Sequence, residues 1–275
     1  MPFLHKDFGT CVLEVEESGV ATLTLTDEAH LNPFNDEILR NILAAIILLR
    51  QTAEAQVLVV TGSGLAFSTG GDLKLLPELA NLDQAKWTFD AASYAVNLFY
   101  DLEIPVIAAV NGIVAGAALA LMMSCDLIVA SEHASLLFSF RQIAFTPDSG
   151  TSYFLVRKLG YHKAAEILLF GQQIGAAQAL ELGLFNQVVP AADLLPEAKK
   201  WAERIARGPM KTMVYDKKLL RAALTNNLYQ QQELEAMYQL LAWSSDDFRE
   251  GIAAFSERRR PQFTGKSNIE YRGGR

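Results

Sequence analysis

The chain has 275 residues, 51% hydrophobic and 20% charged, with a formal net charge of −7 and two cysteines. That composition excludes a disordered chain and leaves room for a substantial core, either one large α/β domain or a core with an appendage. The acidic balance argues against a nucleic-acid partner, and two cysteines without a C-x-x-C or Cys/His cluster point to a reducing, cytoplasmic setting with no metal site.

The N-terminal MPFLHKDFGT lacks a charged stretch followed by an apolar one, so no secretory signal is expected. CVLEVE and VATLTL alternate polar and apolar residues around Glu17-Ser18-Gly19, which predicts a hairpin. Asn32 to Asn35 read as a turn containing Pro33, and Asp36 opens a helical pattern to about Gln51. Val57 to Thr61 is a mostly β-branched run and predicts a buried strand. Ala66 to Asp72 is a glycine-bearing loop, with Asp72 placed to cap a short helix after it.

A longer helix is predicted over Leu82 to Leu102, then a strand over Pro105 to Val110, a turn over Asn111 to Gly116, and a helix over Ala117 to Ser124. A strand over Leu127 to Ala130 follows. The apolar stretch Ile104 to Ala130 does not predict a membrane span, because Asn111, Gly112, Gly116, Cys125 and Asp126 leave no run of about 18 apolar residues. Strands of continuous apolar residues alternating with helices predict largely parallel sheets covered by helices. From Gly150 onward helical patterns dominate apart from Asn186 to Val189. They run to about Glu257, where a basic polar tail begins. No internal repeat is visible.

Two segments carry chemistry. Ala66-Phe67-Ser68-Thr69-Gly70-Gly71-Asp72-Leu73 follows a strand, and its paired glycines allow a main-chain amide to face a ligand. Asn111-Gly112-Ile113-Val114-Ala115-Gly116-Ala117-Ala118 also follows a strand and opens a helix, whose first amides have no internal partner and favour negative charge. Two amides aimed at one carbonyl oxygen suit enolate or tetrahedral-oxyanion chemistry. Taken singly, each segment reads better as an ordinary turn or a close helix contact. Neither matches a phosphate-loop or dinucleotide fingerprint.

Together and in order, these segments resemble the crotonase (enoyl-CoA hydratase/isomerase) superfamily. The resemblance runs through Leu31-Asn32-Pro33-Phe34-Asn35, Val57 to Gly62, Pro105 to Gly112, Cys125-Asp126-Leu127, Pro147 to Gly150, Gly171 to Gly183 and Phe255 to Phe263. It implies an α/β fold, a spiral of ββα units with a C-terminal helical region. Residues 1–190 would form the core with an acyl-CoA site, and residues 191–275 an oligomerisation and CoA-covering region. It also implies Gly71 and Ala117 as the oxyanion amides, with Gly-Ala-Ala where many relatives have Gly-Gly-Gly.

Hydratases of that family use two glutamates. At the matching positions this chain has Ala120 and Phe140, which disfavours simple water addition. Asp148, in Thr146-Pro147-Asp148-Ser149-Gly150, matches the single acid of some enoyl-CoA isomerases. The expectation is therefore an isomerase that moves a double bond from 3-enoyl to 2-enoyl thioester, with Asp148 as proton shuttle and Phe138, Phe140 and Phe145 as an apolar wall. Alternatives are a ring (epoxide or oxepin) isomerase of the phenylacetate type, a hydratase-like protein, or a non-catalytic acyl-CoA-binding scaffold. On residue chemistry alone, Asp148 also reads as a helix N-cap, Asp126 as a structural turn residue, and the four histidines as structural or surface groups. The dehalogenase reading lacks a histidine in Leu82 to Leu102.

The resemblance implies no cofactor beyond coenzyme A carried by the substrate, used in fatty-acid metabolism. It places Ala66, Lys74, Phe255 and Arg258 beside that coenzyme, the last two from a neighbouring subunit, in a homotrimer or a hexamer (dimer of trimers) with no membrane partner. Arg258-Arg259-Arg260 is the densest basic cluster, which can equally be a solvated tail. Leu219, Leu220, Leu228, Met237, Leu240, Leu241 and Trp243 form apolar stripes that should pack on the core or on a partner.

Overall fold

A computed structural model describes residues 3–75 and 81–265. In chain order the first elements are β1 (Leu4–Asp7), β2 (Cys11–Val15), β3 (Val20–Leu25), β4 (Pro33–Phe34), α1 (Asp36–Gln51), β5 (Val57–Gly62), β6 (Ala66–Ser68), β7 (Gly70–Gly71) and α2 (Leu82–Tyr100). Next come β8 (Val106–Val110), β9 (Ile113–Ala115), α3 (Ala117–Ser124), β10 (Leu127–Ser131), β11 (Ser135–Leu137), α4 (Thr151–Leu159), α5 (Tyr161–Phe170), β12 (Gln173–Gly175), α6 (Ala176–Glu181) and β13 (Gln187–Val189). The chain ends in four helices: α7 (Leu194–Ala206), α8 (Met210–Ala222), α9 (Leu228–Trp243) and α10 (Asp246–Glu257).

The main sheet has the order β1-β2-β3-β5-β8-β10-β13, antiparallel through β3 and parallel beyond it. A smaller sheet, β12-β11-β9-β6, stands beside it, and β4 pairs with β7 in a third. The chain thus steps three times from a main-sheet strand to a small-sheet strand to a helix: β5-β6-α2, β8-β9-α3 and β10-β11-α4. This is the expected spiral of ββα units. The repeat is architectural and leaves no trace as sequence repetition.

Both faces of the main sheet are covered, which explains its unbroken apolar strands. In β5, Leu58 and Val60 belong to the core shared with α1 and α2, while Val57 and Val59 belong to a second core closed by Leu194, Ala198 and Ala202 of α7. The region beyond residue 190 is therefore fastened to the sheet through α7. α1 starts where expected because Asn35 caps it, its side chain accepting from the amides of Glu37 and Ile38 at 3.0 Å each.

The structure departs from the expected elements where they are shortest. The Ala66 to Asp72 loop contains β6 and β7, and the Asn111 to Gly116 turn contains β9. Strands of two or three residues are too short to show a period, and they exist because the turns pair with one another. β1, β11 and β12, of three or four residues, show no pattern for the same reason. The short helix expected after Asp72 falls mainly on residues 76–80, and most of the basic tail on residues 266–275, outside the described residues. Asp72 itself accepts from the amide of Lys74 at 3.0 Å. Among the described residues, no helix is long and apolar enough to cross a membrane.

One ion-pair cluster, buried on its lysine side, locks the helical tier to the core. Asp126, between α3 and β10, accepts from the Val106 amide at 2.8 Å and pairs with Lys217 Nζ at 2.6 Å and Arg221 at 3.2 Å. Its role is structural. Asp126→Ala would strand Lys217, which is only 7% exposed, without its counter-charge. Urea denaturation should show a loss toward the lower end of about 3–5 kcal/mol.

Candidate functional site

The site forms where β7 meets the start of α3. Two asparagines hold the preceding segment: Asn32 Nδ2 donates to the carbonyls of Ser63 (3.1 Å) and Ala66 (2.9 Å), and Asn111 Nδ2 to those of Gly64 (3.0 Å) and Ala66 (3.1 Å). Buried Ser68 donates to the Asn32 carbonyl at 2.7 Å and accepts from the Gly70 amide at 3.1 Å. These polar side chains fix the glycine loop from behind. Sequence reasoning gave Asn32 and Asn111 no such task, although each sits in a segment of the family resemblance.

Gly70 adopts φ +71, and a side chain there would come within 2.4 Å of the Ala115 carbonyl and 2.8 Å of the Ala117 amide nitrogen. A Cβ on Gly116 would lie 3.6 Å from the Gly71 nitrogen. The main chains carrying Gly71 and Ala117 are therefore packed directly against each other. Ala117 is the first residue of α3, so its amide has no partner inside the helix, at the end where the dipole favours negative charge. All eight residues of α3 are buried. The space off Gly71 is open, with nothing within 4 Å of where its side chain would be.

Asp148 lies at the first position of a tight turn. The Thr151 amide donates to the Asp148 carbonyl at 2.8 Å, and the two central residues, Ser149 and Gly150, have φ +51 and +93. Such mirror-image turns favour glycine, asparagine or aspartate, so a serine there carries strain of about 1–3 kcal/mol. The N-cap of α4 is Gly150, with no side-chain capping bond. Asp148 therefore does not cap the helix, and that structural reading fails. Its Oδ1 is buried with no protein partner. Burial pushes the carboxyl above its ordinary range, opposed only by a hydrogen bond from its own backbone.

At the two hydratase-glutamate positions stand Ala120, fully buried, and Phe140, 7% exposed, both in the main core. Phe138 is fully buried, and Phe145 is partly exposed with its ring 5.4 Å from that of Phe89 on α2.

The residues expected near coenzyme A lie on β6, just past β7 and at the end of α10. Ala66 is fully buried and its carbonyl already accepts from Asn32 and Asn111. Lys74 is exposed just beyond the glycine loop. Phe255 is 85% exposed on α10, which packs against α9. Arg258 ends α10 in a left-handed conformation, φ +56. The arginine cluster is divided: Arg259 binds Glu250 at 2.5 and 2.8 Å and Glu257 at 2.6 Å, and its hydrogen bonds hold the Glu250 carboxyl down to about 2. Of the histidines, His5 pairs with Glu14 and His30 with Asp27, both at the surface. No group of three or more His, Cys, Asp or Glu among the described residues is placed to hold a metal ion.

A ββα spiral with a glycine turn packed on the first amide of a buried helix defines the crotonase class of α/β proteins. The chain belongs to the enoyl-CoA hydratase/isomerase family, whose sequence pattern matches residues 15–266. It is 36% identical over 261 residues to the "Probable enoyl-CoA hydratase" of Rhodobacter capsulatus, covering 94% of this chain and 99% of that one. It is 35% identical over 263 residues to the 1,2-epoxyphenylacetyl-CoA isomerase of Escherichia coli, covering 93% and 98%. Among solved structures, an enoyl-CoA hydratase subunit from Geobacillus kaustophilus superposes with a TM-score of 0.89 at 30% identity, covering 95% of this chain and 100% of that one. The Bacillus anthracis enoyl-CoA hydratase gives 0.87 at 28% identity, covering 95% and 99%.

The two glycines of the loop should respond differently to a methyl group. Gly70→Ala meets main-chain atoms and a left-handed φ, so it should lower the melting temperature and abolish acyl-thioester binding. Gly71→Ala meets open space and should leave the melting temperature near that of the parent protein. Differential scanning fluorimetry of the two variants checks this.

Proposed function

We propose that this enzyme is an acyl-CoA isomerase that shifts a double bond from the 3-enoyl to the 2-enoyl thioester, with Asp148 carrying the proton. The observation that supports this most directly is a half-buried carboxylate at residue 148, its Oδ1 buried without a protein partner, combined with apolar side chains at Ala120 and Phe140. A single base suffices for a double-bond shift: it takes a proton from C2 and returns it at C4. Hydration by the family's two-glutamate route lacks both acids.

The intermediate is a dienolate. An α-proton beside a thioester is too weakly acidic for a lone carboxylate, so the developing oxyanion needs stabilisation. The amides of Gly71 and Ala117 are assigned that task, each donor being typically worth about 3 kcal/mol. Desolvation makes Asp148 a stronger base than a carboxylate in water.

Coenzyme A enters as part of the substrate and not as a separate cofactor. Lys74 and Arg258, both exposed, are the cations assigned to its phosphates. Phe255 and Arg258 would serve a neighbouring subunit in a homotrimer, alone or paired into a hexamer. Supporting this, no residue of α9 is buried, and Leu228, Leu240 and Trp243 are 67%, 67% and 64% exposed. Among the described residues, these apolar side chains of α9 have no full cover. Light scattering should give a mass about three or six times the 30.2 kDa chain.

A second reading, ring isomerisation of an aromatic-derived CoA thioester, is favoured by the 35% identity to the 1,2-epoxyphenylacetyl-CoA isomerase. It would use the same amides and the same carboxylate. Turnover on linear 3-enoyl-CoAs against an epoxide- or oxepin-type thioester separates the two.

Asp148→Asn should lower turnover by roughly 10²–10⁴-fold; full turnover in the purified variant would refute the assignment. The base must be ionised, so kcat/KM should fall as pH drops through a value above the usual carboxylate range. Stability should move the opposite way. A folded-state pKa above the unfolded one penalises the anion, a cost that grows as pH rises through it. Asp148→Asn should therefore raise the melting temperature at neutral pH.

A further inference from the structure

The turn that carries Asp148 holds two more desolvated polar groups. Asp148 Oδ1, Ser149 Oγ and Thr151 Oγ1 are all buried without a protein partner, and Thr151 has no exposed surface at all. Desolvated polar atoms are costly, and native proteins satisfy nearly all of them with protein groups or bound water. Three such atoms fall within four consecutive residues. The turn keeps them together, because its closing bond, Thr151 amide to Asp148 carbonyl, brings the two ends within about 7 Å between Cα atoms. The left-handed backbone at Ser149 fixes where that hydroxyl is displayed. A gap too wide for a direct hydrogen bond between polar atoms on either side is what a bridging water spans.

We propose that Ser149 and Thr151 are positioning residues that hold the inner oxygen of Asp148 through one bound water. This deepens the reading of Asp148 as proton shuttle and rests on it. The water accepts from a hydroxyl and donates to the carboxylate, which fixes the carboxyl orientation and supports its anionic form. Among the described residues, no side-chain charge provides that support. α3, packed on α4, has no charged residue. On α5, Lys163 and Glu166 pair with each other. On α2, Asp83, Lys86 and Asp90 are exposed, and on α4 itself Arg157 and Lys158 lie in the last turn, away from Asp148. None of these groups contributes to the shift of Asp148.

The test compares Thr151→Val, Thr151→Ser, Ser149→Gly and Asp148→Asn by kcat, KM, pH profile and melting temperature with a 3-enoyl-CoA. Losing a donor to the anion makes it harder to ionise. Thr151→Val should therefore shift the acid limb of kcat/KM upward by about one pH unit, lower kcat roughly tenfold, and leave KM nearly constant. Thr151→Ser should restore both. A Thr151→Val enzyme with an unshifted limb, unchanged kcat and higher melting temperature would show an orphan hydroxyl and overturn the proposal. If that variant does not fold, Ser149→Gly, which the left-handed backbone accepts, is measured on the same limb: an upward shift supports the bound water, and an unshifted limb overturns it. Asp148→Asn separates the levels: its full activity would sink the shuttle itself, whereas its inactivity beside an unshifted Thr151→Val profile would sink only the water-held carboxylate.

Discussion

The site depends on one contact between two stretches of main chain. β7 and the start of α3 approach so closely that a single methyl group on Gly70 would strike both the Ala115 carbonyl and the Ala117 nitrogen. Nothing but glycine fits, because the obstacles are backbone atoms that cannot rotate away. The asparagine clamp at residues 32 and 111, and the Ser68 hydroxyl, hold one side of that contact. The fully buried α3 holds the other. Two amides on different ββα units are thereby fixed relative to each other before any ligand arrives, which is what electrostatic preorganisation requires.

The fold supplies the stability that this region does not. The main sheet buries alternate residues of β5 on opposite faces, under α1 and α2 on one side and α7 on the other. Against that broad apolar core, the Asp148 turn concentrates unfavourable features: a left-handed serine, a desolvated carboxylate and two unpartnered hydroxyls. Local strain of this kind persists only where the surrounding structure over-determines it, and it clusters at reactive sites. The apolar Ala120 and Phe140 belong to the same account. No carboxylate stands at either position, and the shift of Asp148 has no contribution from another acid.

The C-terminal helices obey a different logic. α7 is part of the sheet's packing, and the Asp126–Lys217–Arg221 cluster ties α8 to the end of α3 opposite the site. α9 then leaves large apolar side chains such as Leu240 and Trp243 exposed. Arg259 folds back on Glu250 and Glu257, while Arg258, whose amide donates to the Phe255 carbonyl, and Arg260 are exposed.

Much of this was legible in the residues. Long elements announced themselves: α1, β5, α2 and α3 follow from periodicity, β-branched runs and caps, because those signals are local and repeat along the chain. The family, the two glycine turns and the missing glutamates were also readable, since each is a matter of residue identity in order. What the chain order could not decide were relations between distant segments. β6, β7 and β9 are too short to have a pattern of their own and exist only because they pair. On residue chemistry Asp148 read first as a cap, and by resemblance as a base; the packed turn gives the cap to Gly150 and leaves Oδ1 desolvated, which residue order could not foretell. Residue type fixes which hydrogen bonds and charges are available; desolvation and contact are properties of the space around a residue, and that space is filled by parts of the chain far away in sequence.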